Sequence, residues 1–187
     1  MTPLGLGEQQ VQVLWLAPVS GESSLSLFPA HAADLLKDFG DIMRALKSRY
    51  PNLRLVFFGD NVYGGYRAEG GYRSRLLEPY MYESGFAVKW LIQAQIDQMA
   101  SGGTIVDGRA GDLNYNTVAP WIGWGPSFWA DGVHPRADGL SWPRGDFLSD
   151  GLHLTESARD KAADLLHTFF KTSPQTRCWF LNTGVTC

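Results

Sequence analysis

The sequence lacks several features that would indicate particular classes of protein. No apolar run approaches the roughly 18 residues of a membrane-spanning helix, and the first residues show neither the basic nor the apolar region of a signal peptide. With 16 Lys and Arg against 19 Asp and Glu, the net charge of -3 provides no basic field for nucleic acid or anionic lipid. We therefore expect neither a nucleic acid nor a membrane as a partner.

Cysteine is also scarce. The two cysteines, Cys178 and Cys187, both lie within the last ten residues, without the CxxC spacing or the neighbouring histidine of a zinc site. Two alternatives stay open: a disulfide that closes a hairpin over residues 176–187, which would imply an oxidising compartment, or two free thiols. The sequence predicts no cofactor.

What is present is ordinary globular composition with many aromatic residues. Hydrophobic residues make up 44% and charged residues 19% of 187 residues, which predicts a single domain over residues 1–187. Aromatic residues make up 13%, more than a plain core needs, so we expect some of them to line a surface or cleft.

The hydrophobic pattern predicts an α/β fold with a parallel sheet. Strands are expected at 11–16 and 53–58, joined by an amphipathic helix from about Pro29 to Tyr50. A second helix is expected at 84–99, a third strand at 104–106, and a last helix after the N-cap Thr155. Residues 107–149 lack periodicity and are rich in Gly, Pro and Trp, which indicates an aromatic loop or lid within the domain.

The strongest local signal for chemistry is SDGLH at 149–153, directly before the last helix. An Asp three residues before a His can bind the imidazole Nδ1 and leave Nε2 facing outward as a general base. Asp150 and His153 would then be two members of a Ser-His-Asp triad. The alternative is a loop carboxylate beside a histidine that caps the helix.

At this point the sequence SDGLHLTESARDKAADLLHTFF resembles the C-terminal part of the SGNH hydrolases, also called GDSL-type esterases, whose last block is DxxH before a C-terminal helix. YPNLRLVFFGDNVYGGY, EPYMYESGFAVKWLI and WGPSFWADG are similar to a secreted bacterial branch of that superfamily. The resemblance implies a three-layer, flavodoxin-like parallel sheet, hydrolysis of an ester, catalytic roles for Asp150 and His153, and a secreted or periplasmic location.

The family's GDS nucleophile motif is absent from the sequence. Gly59-Asp60-Asn61 is similar to it, but Asn61 cannot attack an ester, and we interpret these residues as the end of a strand. We therefore expect the N-terminal strands and the serine to come from upstream sequence, or an unorthodox serine to serve. Ser20 is the best placed candidate, because it follows the first strand on the side where parallel sheets bind ligands; Ser84 is more typical of a helix start.

The aromatic residues suggest the substrate. Flat rings stack on sugar faces, so the sequence predicts a small-molecule or carbohydrate ester, bound by a set of five aromatic residues. These are Trp121, Trp124, Trp129, Tyr63 and Tyr66. A first strand without a neighbour would expose an apolar edge, which predicts a homodimer through that strand.

Two further functions stay open. A second DxxH motif, Asp131 to His134, is followed by no helix, but together with Asp150 and His153 it would supply the ligands of a metal-dependent hydrolase. The other is a non-catalytic carbohydrate-binding domain, which would bind sugar through the same five aromatic residues and would not use His153.

Overall fold

The computed structural model describes residues 4–19, 26–70 and 77–181, with the backbone alone at 68–70. Within these residues the chain forms one parallel sheet of three strands and four α-helices, which confirms the α/β class. The elements in chain order are β1 (Val13–Leu16), α1 (Ala30–Arg49), β2 (Leu55–Phe58), α2 (Tyr80–Ala100), β3 (Trp121–Trp124), α3 (Glu156–Thr172) and α4 (Arg177–Phe180). No helix in these ranges is both long and apolar enough to cross a bilayer.

The first half of the fold follows the sequence pattern closely. The apolar stripe of α1 is buried against the sheet and α2, and the helix ends at Arg49, just before Tyr50 and Pro51. β1 and β2 pair in parallel, with Val13 opposite Leu55. α2 begins at Tyr80, four residues earlier than the pattern predicts, directly after Pro79.

The prediction of a third strand at 104–106 is wrong. Ile105 and Val106 are exposed and pair with no strand. The third strand is instead β3, Trp121–Trp124, inside the segment predicted to be a loop, where it occupies the edge of β2 with Leu55 opposite Trp121. Strand propensity alone favoured 104–106, but the strand forms where the chain returns to the sheet.

Two buried side chains of α2 hold the irregular chain between α2 and β3. The Gln95 amide nitrogen donates to the carbonyl oxygens of Leu113 and Pro120, and its oxygen accepts from the Ile122 amide, at 2.8 to 2.9 Å. Gln98 accepts from the Leu113 amide at 2.8 Å. These bonds satisfy main-chain groups that have no helix or strand to pair with.

The buried residues form two clusters. The first lies between the sheet, α1 and α2. The second is formed between the segment 128–147 and α3. Its buried members are Phe128, Ala130, Leu140, Trp142, Phe147 and Ala158. The second cluster supports the loop that precedes α3.

The C-terminal elements differ in part from expectation. α3 begins after Thr155, whose hydroxyl accepts a bond from the Ala158 amide, as predicted. Residues 177–180 are helical and not part of a hairpin strand, and of the two alternatives for Cys178 the disulfide is the one observed. Cys178 is disulfide-bonded, and Cys187 lies outside the described residues.

Candidate functional site

Asp150 and His153 lie in the short loop before α3 and are hydrogen-bonded to each other. The His153 Nδ1 is 2.5 Å from the Asp150 Oδ2. The other carboxylate oxygen accepts from the amides of Leu152, at 2.9 Å, and of His153, at 3.0 Å. Both carboxylate oxygens are thus engaged, and the imidazole is held by one of its two nitrogens.

The same bonds set the charge state of the carboxyl group. The hydrogen bond from His153, followed by those from the two amides, lowers the pKa of Asp150 well below its usual range. The side chain is therefore an anion at neutral pH, as is required of a group that orients an imidazole and stabilises its charged form.

The loop is shaped by its neighbours as well as by its own bonds. Gly151 has φ +66°, and a Cβ at this position would collide with the carbonyl oxygen of Tyr66. Arg144 donates to the carbonyl oxygens of Phe147, Leu148 and Ser149, at 2.9 to 3.2 Å. Arg144 was not predictable from the sequence, since no motif or periodicity distinguishes it from other surface arginines.

The acid–base pair is open to solvent. The side chain of His153 is 70% exposed and that of Asp150 is 47% exposed. Five well-formed pockets among the described residues are lined by neither side chain. The exposure of His153 leaves its second ring nitrogen, Nε2, accessible to solvent.

The second DxxH motif has a looser geometry. The His134 Nδ1 is 3.4 Å from the Asp131 Oδ2, and both side chains are largely exposed. No group of three or more His, Cys, Asp or Glu side chains in the described ranges is arranged to hold a metal ion. The expected convergence of Asp131 and His134 with Asp150 and His153 is thus absent.

Ser84 and Asn61, unlike Ser20, lie within the described residues, and each makes a structural hydrogen bond. Ser20 lies outside the described residues. Ser84 is buried in α2 and donates to the Met81 carbonyl oxygen at 2.6 Å, which is a local helical role. The side-chain nitrogen of Asn61, Nδ2, donates to the Pro18 carbonyl oxygen at 3.1 Å. This bond links the segments that follow β1 and β2.

Tyr63 and Tyr66 lie close to the acid–base loop. Their rings are in contact with centroids 5.1 Å apart, and the Tyr66 ring also contacts Phe147. Burial, followed by the charge of Asp131, raises the pKa of Tyr63. Their packing within the second cluster makes these two residues part of the support of the loop.

The three predicted tryptophans lie elsewhere. Trp121 and Trp124 stand at opposite ends of β3 and line a groove of about 580 Å³ between α2 and α3. Trp124 also lines a second pocket of about 300 Å³, together with Trp129. The five predicted aromatic residues therefore form no single wall among the residues that the structure describes.

Asp60 and Arg136 fix the chain around Trp129. Neither was predicted to be a binding residue. The Asp60 carboxylate, at the end of β2, accepts from the Ser127 hydroxyl at 2.6 Å, from the Phe128 amide, and from the Trp129 amide at 3.0 Å. Arg136 donates to the Ser127 and Trp129 carbonyl oxygens at 2.9 and 3.0 Å. The position of Asp60 after a buried strand was the available signal.

Comparisons of the chain with protein-family models, with curated proteins and with solved structures found no match.

Proposed function

We propose that this chain is an SGNH-like ester hydrolase with a three-layer, flavodoxin-like arrangement, and that Asp150 and His153 form the acid–base part of its catalytic triad. One observation carries the proposal: the 2.5 Å contact between the His153 Nδ1 and a carboxylate whose second oxygen is held by two amides. This arrangement fixes the imidazole tautomer and leaves Nε2 accessible.

In the proposed mechanism, His153 Nε2 removes the proton of a serine hydroxyl as the oxygen attacks the ester carbonyl. Asp150 stabilises the imidazolium that forms, and His153 then gives the proton to the leaving alcohol as the ester C–O bond breaks, which leaves an acyl-serine. In the second half of the reaction His153 takes a proton from a water molecule that attacks the acyl-serine, and returns it to the serine oxygen as the carboxylic acid leaves. The serine is proposed to be Ser20 or a residue of upstream sequence. The substrate is proposed to be an acyl ester of a carbohydrate, on the aromatic richness of the sequence alone, since flat rings can stack on sugar faces.

Hydrolysis of an aryl acetate and of an acetylated sugar by the polypeptide that carries this sequence tests the proposal. We expect His153→Ala and Asp150→Asn each to lower kcat/KM by about 1,000-fold or more, since triad groups act as a unit. His134→Ala is the matched control, because it removes the histidine of the looser pair, and it should retain the rate.

A rate within about threefold of wild type in both triad variants would contradict the proposal. A fluorophosphonate probe identifies the nucleophile independently, because it forms a covalent adduct that mass spectrometry assigns to one residue. We expect that residue to be a serine, with labelling lost in His153→Ala. Labelling that is unchanged in this variant would exclude His153 as the base.

A further inference from the structure

The pocket next to Trp129 is distinct from the Asp150–His153 loop and lies at the carboxyl ends of the parallel strands, where such sheets bind ligands. Asp60 follows β2, Trp124 ends β3, and the opposite wall is formed by α2. Its volume of about 300 Å³ lies at the lower end of the range for small-molecule sites and suits a single ring.

The aromatic wall of this pocket is held rigidly before any ligand arrives. The Trp129 indole nitrogen donates to a Glu78 carboxylate oxygen at 3.0 Å, while Asp60 and Arg136 bind its main chain from two sides. The ring of Tyr82 packs against that of Trp129 with centroids 4.6 Å apart and is 47% exposed. The two rings are tilted by 54°, so they form an angled aromatic corner in which the exposed Tyr82 ring can stack on a ring-shaped ligand, while Trp129 is fixed and needs little ordering on binding.

Lys89 supplies a positive charge with which an anionic group of a ligand can pair. The Arg136 guanidinium is paired with Asp138, and the carboxylates of Asp60 and Glu78 each accept from several N–H or O–H donors. Lys89 lines the pocket from the exposed side of α2, and within the described residues it makes no hydrogen bond or ion pair. An ammonium group on a flexible stem can meet an anionic group of a bound ring.

We propose that this pocket binds a uronic acid: a pyranose ring that stacks on the exposed Tyr82 ring, beside Trp129, and directs its carboxylate toward Lys89. The proposal concerns binding alone and does not depend on ester hydrolysis, so each can fail without the other. It adds a second, charge-selective ligand site to the molecule.

Calorimetric titration at low salt with galacturonate, galactose and benzoate tests the proposal. We expect galacturonate to bind roughly fivefold more tightly than galactose, the advantage of one partly exposed ion pair. Lys89→Gln should abolish this preference, and Lys171→Gln, which removes another exposed lysine, on α3, should keep it.

Ring stacking is tested separately. Tyr82→Ala should lower the affinity for both sugars. Tyr115→Ala is the control, because it removes a 40% exposed ring that lines a different cavity, and it should leave both affinities unchanged. Equal affinity for the two sugars, no binding of either, or a preference that survives in Lys89→Gln would overturn the proposal. Binding of benzoate without galacturonate would overturn the assignment of the ring as a sugar.

Discussion

Gly151 is the residue on which the shape of the acid–base loop most directly depends. Its φ of +66° lies in the left-handed region, and its α-carbon faces the main chain of Tyr66 at a distance that leaves no room for a Cβ. The loop can thus turn Asp150 onto His153 only while this position remains a glycine.

Gly151→Ala is expected to destabilise the protein more than Gly139→Ala. Gly139 has φ +85° and open space around it, so alanine there adds only the backbone cost of about 1–2 kcal/mol. At Gly151 the collision with Tyr66 adds about 1–3 kcal/mol. Urea unfolding of the two variants measures the difference, and equal values would mean that the main chain of Tyr66 yields without cost.

The titration of Asp150 is a second prediction at the level of single residues. Carboxyl NMR should give a pKa below the ordinary 3.8, and His153→Ala should raise it, because the histidine is the largest cause of the shift. Asp138, whose bond from Arg136 lowers its pKa to about 2, should remain unchanged in this variant. An unchanged pKa of Asp150 would show that the 2.5 Å contact does not persist in solution.

The sign of the pH effect follows from the direction of the shift. Folding lowers the pKa of Asp150, so the stabilisation that its bonds provide is present above pH 3.8 and is lost as the pH falls through the lower folded pKa. Neutral and mildly acidic solutions should therefore leave the loop intact.

At the scale of elements, helix α2 fixes the irregular segment before β3 through hydrogen bonds from its buried glutamine side chains. Gln95 reaches three main-chain groups that lie up to 27 residues away and are buried with it. A glutamine in the middle of a helix carries no sequence signal for this role, because exposed helix positions are also rich in glutamine.

Gln95→Leu is expected to destabilise the protein by about 3 kcal/mol or more, because it leaves three buried main-chain groups without partners. Gln93→Leu is the matched control, since Gln93 is exposed on the same helix and binds only Asp97. This variant should stay within about 0.5 kcal/mol of wild type in thermal or urea unfolding. Similar losses in both would indicate that helix propensity, not the buried amide, sets the cost.

The limits of sequence-based prediction follow from these elements. α1, α3 and β2 were predictable because their apolar residues recur at helical spacing or form a short run between turn residues. β3 was missed because its four residues, WIGW, show no hydrophobic period. One of its main-chain amides, that of Ile122, also bonds to the side chain of Gln95 in α2, which the sequence does not indicate. The DxxH pair was predictable from local spacing, whereas Asp60 reaches Ser127 and Trp129, 67 and 69 residues away, only through the tertiary fold.

At the scale of the whole molecule, β1 is an edge strand. The sheet order is β1-β2-β3, and the Gln12 and Leu16 carbonyl oxygens accept bonds from the side of β2. In a parallel ladder the intervening residues, Val13 and Trp15, then direct their main-chain groups away from β2. Outward main-chain groups on an edge strand are able to pair with a further strand.

We expect the chain to self-associate through this edge and Val13→Pro to prevent it. Proline at the first residue of an edge strand removes the outward N–H and leaves the bonds to β2 intact. Sedimentation at low and high concentration measures the mass of both proteins, and an unchanged melting temperature shows that the variant still folds. A wild-type monomer at high concentration would contradict this assignment of the edge.

The glutamine side chains of α2 have a further consequence for the chain that they hold. The amides of Leu113 and Ile122 donate to buried side-chain oxygens, although neither bond belongs to a helix or sheet ladder. Such amides should exchange slowly with deuterium, as those of the core strands do. Proteases that cut long irregular segments should accordingly find the stretch before β3 a poor substrate while the protein remains folded.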